Sequence, residues 1–332
     1  MLEASDRAAG SWPRYYDSLA LFSPARYSSL PGMPFDGDPG RYPHRDEVVT
    51  YLTSYAARLD ADIRTGTRVE AVRPDAVGFS LDLQGGGQLS ARAVVAASGT
   101  FGRPYRPAPP GLDRFTGTVL HAADYREPAP FAGQRIVVVG AGNSAMQIAA
   151  ELATVAHVTL ASRHPVKFAR QHILGRDLHF WLKKTGVDTA PLGRYLRTPP
   201  PPPRTAPAPP PPPPPRAAGP PPPALPAGAP HRRELPTTLE DRKATWPDGT
   251  VEEIDSILLA TGYRPDLPYL DGLDVLDAAG RPRHRDGASL THPALAFVGL
   301  EWQRSLSSNS LRGVGRDAAR AARRLAHRLG VG

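Results

Sequence analysis

The sequence predicts an α/β fold, and three patterns predict it. Between Arg135 and His164 an apolar run ends in a glycine turn, enters a helical stretch and returns as a second apolar run. Around Gly85-Gly86-Gly87 two segments alternate apolar and polar residues, as the arms of a hairpin do. Ile254 to Ala260 and Leu295 to Val298 add two more short apolar strands, and a helical pattern runs from about Gly315 to Leu329. With 332 residues, the chain is long enough for about two domains.

Each element has its own local cause. Asp46 to Leu59 carries Val48, Val49, Leu52, Tyr55, Ala56 and Leu59 at three- and four-residue spacing behind an acidic start, which predicts an amphipathic helix. Phe79, Leu81 and Leu83 face Leu89, Ala91 and Ala93 across the glycine turn. Val94 and Val95 then run into Ala97-Ser98-Gly99, and a buried strand is expected there. Four prolines between Gly102 and Gly111 mark an extended linker and a domain boundary at 111. Residues 112–197 then form a second unit around the strand–turn–helix–strand pattern.

From Thr198 to Ala244 the chain has no Val, Ile, Phe, Tyr, Trp or Met, and 19 of the 40 prolines fall between Pro199 and Pro230. Such a segment cannot bury a core, so 198–244 is expected to be low-complexity polyproline or disordered chain. Its composition also reads as out-of-frame translation of a GC-rich gene. Globular patterning returns over 245–332.

Composition excludes several chemistries. The sequence contains no cysteine, which removes disulfide, thiolate-metal and dithiol redox mechanisms, and no metal site is expected. Net charge is +8, yet no nucleic-acid motif accompanies it. The arginines Arg312, Arg316, Arg320, Arg323, Arg324 and Arg328 read as a solvated helix face. The acidic, polar start is unlike a targeting peptide, and no apolar run approaches the ~20 residues of a membrane span, so a cytoplasmic protein is expected.

The glycine turn is the most informative motif. Val137-Val138-Val139-Gly140-Ala141-Gly142-Asn143-Ser144-Ala145 is a strand followed by G-x-G-x-x-A and a helix. Gly140 makes the turn, Gly142 lets backbone approach a pyrophosphate, and Ala145 allows helix to pack closely on strand. The free amides and positive end of the helix then hold phosphate. About twenty residues beyond Gly142, a carboxylate would select NADH through the ribose 2′-hydroxyl. Ser162 and Arg163 stand there instead, and a hydroxyl and a guanidinium suit the 2′-phosphate of NADPH.

A hydride donor needs an acceptor, and a resemblance supplies one. Phe115-x-Gly117-x-x-x-His121-x-x-x-Tyr125 resembles the fingerprint of class B flavin monooxygenases, placed just ahead of the coenzyme unit as in that family. Leu258 to Asp266, around Ala260-Thr261-Gly262-Tyr263, is similar to the family's A-T-G-Y linker, and Ala96 to Gly99 to a looser copy of it. Leu2-Glu3 and Gly10-Ser11-Trp12 resemble the end of a flavin-domain strand and its neighbouring G-G-x-W element. Tyr16-Asp17, Leu30-Pro31 and Tyr42-Pro43 resemble the bacterial and YUCCA-type branches.

The resemblance implies two Rossmann-like domains, with the FAD domain (1–111, resuming after 245) interrupted by the NADPH domain. It implies FAD contacts at Glu3, Gly10, Trp12, Thr261, Gly262 and Gly299, and NADPH contacts at Asn143 and Ser144. His121 and Tyr125 are expected to organise the domain junction; no catalytic side chain is otherwise assigned. The implied reaction places one atom of O2 on a small organic substrate through a flavin C4a-(hydro)peroxide, and a reductase, an oxidase or an inactive NADP-binding fragment is the alternative. The family's first strand–glycine turn–helix unit is not matched in this chain, so the FAD domain is expected to be incomplete and to bind FAD poorly.

Overall fold

A computed structural model describes residues 1–164, 170–195 and 231–331. In chain order its main elements are α1 (Arg45–Ala57), β1 (Val69–Pro74), β2 (Phe79–Leu83), β3 (Gln88–Ala91), β4 (Val94–Ala96), β5 (Thr118–His121), β6 (Arg135–Val139), α2 (Asn143–Leu152) and β7 (His157–Ala161). There follow α3 (Leu178–Lys184), β8 (His231–Arg233), β9 (Thr238–Glu240), β10 (Lys243–Thr245), β11 (Val251–Glu253), β12 (Ser256–Leu259), β13 (His284–Arg285), β14 (Ala288–Ser289), β15 (Leu295–Phe297) and α4 (Leu311–Leu329).

Five parallel strands in the order β8-β7-β6-β12-β5 form the larger sheet, around the glycine turn. Both faces of β6 are buried, which explains its unbroken apolar run. Ile136 and Val138 pack with Met146, Ile148 and Leu152 of α2. Val137 and Val139 pack on the other face with Leu239, Ala244 and Trp246. These last residues come from the antiparallel ribbon β9-β10-β11, which caps that face. The strand–turn–helix–strand unit forms as its spacing predicts.

A second, four-stranded sheet runs β13-β14-β15-β4, with β15 parallel to β4. Beside it lies the meander β1-β2-β3, whose Val72, Phe79 and Leu81 pack with Leu270, Leu295 and Phe297. Leu2 bridges Arg64 in parallel. No helix among the described residues is long and apolar enough to cross a membrane.

Four expectations need correction. Part of the window 198–244 is ordered: β8 extends the parallel sheet beside β7, and Leu239 and Ala244 are wholly buried. One leucine and one alanine at the right register suffice when a finished sheet offers the other side of the core. Residues 196–230, which hold the proline runs, lie outside the described residues.

Second, β4 is not a buried strand, since Val95 is 46% exposed. Third, α4 begins at Leu311, four residues earlier than its pattern suggests. Glycines obscured that turn, and they are needed there: a Cβ on Gly313 would lie 2.1 Å from the Ser307 carbonyl. Fourth, Arg312 is no solvated cation. It is mostly buried and paired with Asp188 at 3.0 Å, while Arg316, Arg320, Arg323, Arg324 and Arg328 are exposed as expected. α1 starts one residue before its expected position, behind His44, whose backbone N–H donates to the Glu47 carboxylate at 2.8 Å.

Candidate cofactor site

The turn after β6 is set by crowding on one side and space on the other. A Cβ on Gly140 would sit 2.3 Å from the Ala260 carbonyl, so only glycine lets β6 pass the end of β12. Gly142 has nothing within 4 Å of where its Cβ would be. Its neighbourhood is open, as close approach of a ligand to backbone requires. Ala145 is fully buried where α2 meets the sheet. The amides of the first turn of α2 therefore lie at the rim of a cavity, with the helix dipole adding positive potential. Asn143 Oδ1 is buried with no hydrogen-bond partner.

That cavity measures about 2420 Å3 and is walled by both sheets. Ligand sites for one drug-sized molecule run to roughly 1,000 Å3, so there is room for more than one large cofactor. Gly140, Gly142, Asn143, Ser144, Ser162 and Arg163 line one side. Ser162 Oγ donates to the His164 carbonyl at 2.8 Å and keeps its lone pairs for a ligand donor. Arg163 is exposed at the mouth. The residues predicted to bind the coenzyme thus line one wall of the cavity, with the Arg163 cation exposed beside them.

The other side holds Glu3, Gly10, Trp12, Thr261, Gly262 and Gly299, all lining the same space. Glu3 Oε1 accepts from the Ser5 amide and hydroxyl at 2.8 and 2.7 Å. These bonds hold the carboxylate at the end of the Leu2 strand, where Oε2 lies beside Gly10. Such an acceptor suits ribose hydroxyls. The two predicted sets of cofactor residues, far apart in sequence, converge on one cavity.

The fingerprint residues hold the junction between the two sides. Phe115 lies over Gly117, where a Cβ would meet both its ring and the Asp255 carbonyl at 2.5 Å. His121 is fully buried. Its Nδ1 accepts from the Ala123 amide at 3.0 Å, which leaves the ring proton on Nε2, facing the Gly262 carbonyl at 3.1 Å. The same carbonyl accepts from the Tyr105 amide at 2.9 Å, and the two linkers pair through Arg103-Pro104 and Tyr263-Arg264. Burial lowers the His121 pKa and keeps the ring neutral. The Tyr263 ring meets His121 edge to face at 5.1 Å, and burial pushes its phenol up to about 12.

Tyr125 is buried and donates to Glu151 Oε2 at 2.8 Å, and Ser18 donates to the same oxygen at 2.7 Å. One turn earlier on α2, Gln147 Oε1 accepts from Tyr16 at 2.9 Å, and its Nε2 donates to the Ala20 carbonyl at 2.9 Å. Gln147 and Glu151 therefore fasten the coenzyme helix to residues 16–20 on the flavin side. Sequence reasoning missed both. Their signal was present: two long polar residues at i, i+4 in a helix otherwise made of small and apolar side chains.

Comparison with known proteins identifies the family. Residues 2–185, more than half of the chain, match the family described as pyridine nucleotide-disulphide oxidoreductase. A rice protein, indole-3-pyruvate monooxygenase YUCCA1 (Oryza sativa subsp. japonica), is 31% identical over 81% of this chain and 71% of its own length. An uncharacterised CzcO-like oxidoreductase of Geobacillus kaustophilus is 30% identical over 94% of this chain and 87% of its own. The flavin-containing monooxygenase of Stenotrophomonas maltophilia superimposes with a TM-score of 0.83 at 30% identity, covering 99% of this chain and 90% of that one. The chain belongs to the class B flavin-containing monooxygenase family.

The chain is therefore an oxidoreductase of a family that works with FAD and NADPH. The disulfide chemistry in the name of the wider family has no counterpart here, since this flavoprotein sequence contains no cysteine. Bacillithiol disulfide reductase from Bacillus cereus, 18% identical with a TM-score of 0.68, shares the fold alone.

Proposed function

We propose that the chain is an NADPH-selective flavoprotein monooxygenase that transfers one oxygen atom of O2 to a small organic substrate. One observation carries the reading. The dinucleotide cradle at Gly140–Ala145, with Ser162 and Arg163, shares a single cavity with Glu3, Gly10 and Thr261-Gly262. A hydride donor and its acceptor must lie in contact, and a common cavity is the arrangement that permits it.

The residues have separable tasks. The amides of Gly142 to Ser144 bind the NADPH pyrophosphate, and Ser162 with Arg163 binds the 2′-phosphate. Glu3 accepts from the ribose of FAD, and Gly10, Thr261 and Gly299 leave backbone open to it. His121 holds the Gly262 carbonyl and so fixes the two crossing linkers. Gln147, Glu151 and Tyr125 set the coenzyme helix against the flavin side. FAD, when bound, supplies the hydride acceptor and the oxygen chemistry, which no side chain in the cavity could perform. The test is NADPH consumption with FAD and O2, against an amine, a sulfide and an indole-3-pyruvate-like acid, with product followed by mass spectrometry. NADPH oxidation yielding only hydrogen peroxide with every substrate would make the protein an oxidase instead.

A further inference from the structure

Ahead of α3 the chain makes a short ribbon, His172–Ile173 antiparallel to Arg176–Asp177. Leu174 and Gly175 turn between the two strands, and both have positive φ, 48° and 69°. A two-residue turn of that hand favours Asn or Asp ahead of Gly, because their short polar side chains tolerate left-handed backbone. A leucine stands there instead, and it is 85% exposed, more than any other large apolar side chain described. Ile173 beside it is exposed too, and its carbonyl accepts from Trp181 Nε1 at 2.9 Å, which ties the tip to α3. Phe180 and Trp181 meet edge to face at 5.1 Å. The Arg176 guanidinium lies 5.3 Å from the Phe180 ring, and the Lys184 ammonium 5.7 Å from both rings. Arg170, Arg176, Lys183 and Lys184 are all exposed. From Arg163 to Val187 the sequence has a single acid, Asp177. That carboxylate is turned inward, where it accepts from the Tyr42 hydroxyl at 2.6 Å and the His179 amide at 2.7 Å.

We propose that this tip docks the protein on a membrane surface rich in anionic phospholipid. Leu174 and Ile173 enter the edge of the acyl layer, while Phe180 and Trp181 lie at the level of the headgroups. The charge argues for that partner. Four cations surround a projecting apolar point, and an anionic bilayer complements both: headgroups meet the cations, and hydrocarbon meets the leucine. A nucleic acid would engage the cations and the aromatic faces but offer Leu174 no apolar phase. A second copy of this chain fits less well. A symmetric contact through the tip would set Arg176, Lys183 and Lys184 against their own images, with no exposed carboxylate of this segment between them. On the inner side of α3 the His179 ring lies 6.0 Å from that of Phe22, which lines the cofactor cavity. One short helix thus joins the docking tip to the cavity wall. The inference goes beyond the proposed oxygenase reaction and does not rest on it.

The experiment sediments the intact chain with sucrose-loaded vesicles, made either of phosphatidylglycerol and phosphatidylcholine in equal parts or of phosphatidylcholine alone. The chain is expected to pellet with the first and stay in solution with the second, and to be released from the first as salt is raised. Leu174→Asn keeps every charge and gives the turn a residue its backbone favours, so the variant folds. It is expected to weaken vesicle binding about tenfold, through the lost apolar burial. Arg176→Glu combined with Lys184→Glu is expected to abolish pelleting. Both variants should bind NADPH as the parent does, which keeps the test separate from the coenzyme reading. Failure to pellet with the anionic vesicles overturns the proposal. Pelleting that Leu174→Asn leaves unchanged also overturns it, as mere adsorption of a basic chain. So does tRNA binding tighter than vesicle binding and weakened by the same variants, or a dimer in sedimentation that Leu174→Asn dissociates.

Discussion

The two sheets differ in how far they are finished. In the larger sheet β6 lies between β7 and β12, and its valines are shielded on both faces by α2 and by the β9-β10-β11 ribbon. In the flavin-side sheet β4 has β15 on one edge only, and its central valine meets solvent. The two strands are alike in composition, so composition does not decide burial. Neighbours do. A Val-rich strand is a core element where flanking strands and covering layers exist, and an open edge where one flank is lacking.

The contrast can be broken most sharply at the glycine turn. Gly140→Ala drives a methyl group into the Ala260 carbonyl, and the closed sheet has no slack to absorb it. We expect a loss of about 3 kcal/mol or more in urea unfolding, together with loss of NADPH binding. Gly142→Ala meets no protein atom. It should leave the unfolding midpoint unchanged and weaken NADPH about tenfold by calorimetry, through exclusion of the phosphate alone. Equal damage from both changes would show that the turn serves folding only.

Coenzyme choice comes next. Arg163→Glu is expected to reverse a preference for NADPH over NADH, by roughly 1.5–3 kcal/mol of lost charged hydrogen bonding. Separate titrations with the two nucleotides measure it, and an unchanged ratio would leave Arg163 a surface cation. Tyr125→Phe removes a donor from Glu151 and should cost about 1–3 kcal/mol. A thermal melt reads that loss, which the double variant with Glu151→Gln should reduce because the carboxylate no longer needs the donor.

The smallest effect is one of pH. Burial lowers the pKa of His121, and of His284 on the flavin side. An unfolded chain binds protons at both histidines near their ordinary pKa of about 6.5, while the folded chain resists them. Their contribution to stability is therefore complete above that value and declines as pH falls toward the lowered folded pKa. Melting between pH 7.5 and 5 should show the decline, and His121→Gln should flatten it in part. A melting temperature that rose over this interval on acidification would contradict the neutral His121 that its Ala123 and Gly262 contacts require.

Much of the coenzyme half was legible. The β6–α2–β7 unit could be read because its signals are local: a valine run, two glycines and a helix with Ala145 at its packing point. His121 and Tyr125 could be located by spacing, but spacing was silent on what they touch. Their partners, the Gly262 carbonyl and Glu151, lie 141 and 26 residues away. The order in 231–244 escaped for a related reason. Leu239 and Ala244 look like isolated apolar residues in a polar, proline-flanked stretch until the sheet they cover is in place.

By itself the amino-acid sequence determined the class of fold, the glycine turn between strand and helix, the lack of cysteine, and a family fingerprint. Those properties rest on the residues within a turn or two of one another, where spacing and side-chain type act directly. Only the tertiary structure decided that the two predicted sets of cofactor residues line one cavity, that Gln147 and Glu151 bond to residues 16–20, and that Leu239 and Ala244 cover the parallel sheet. Such features depend on which distant segments become neighbours, and hydrogen bonding across a sheet edge has no expression in either strand read alone.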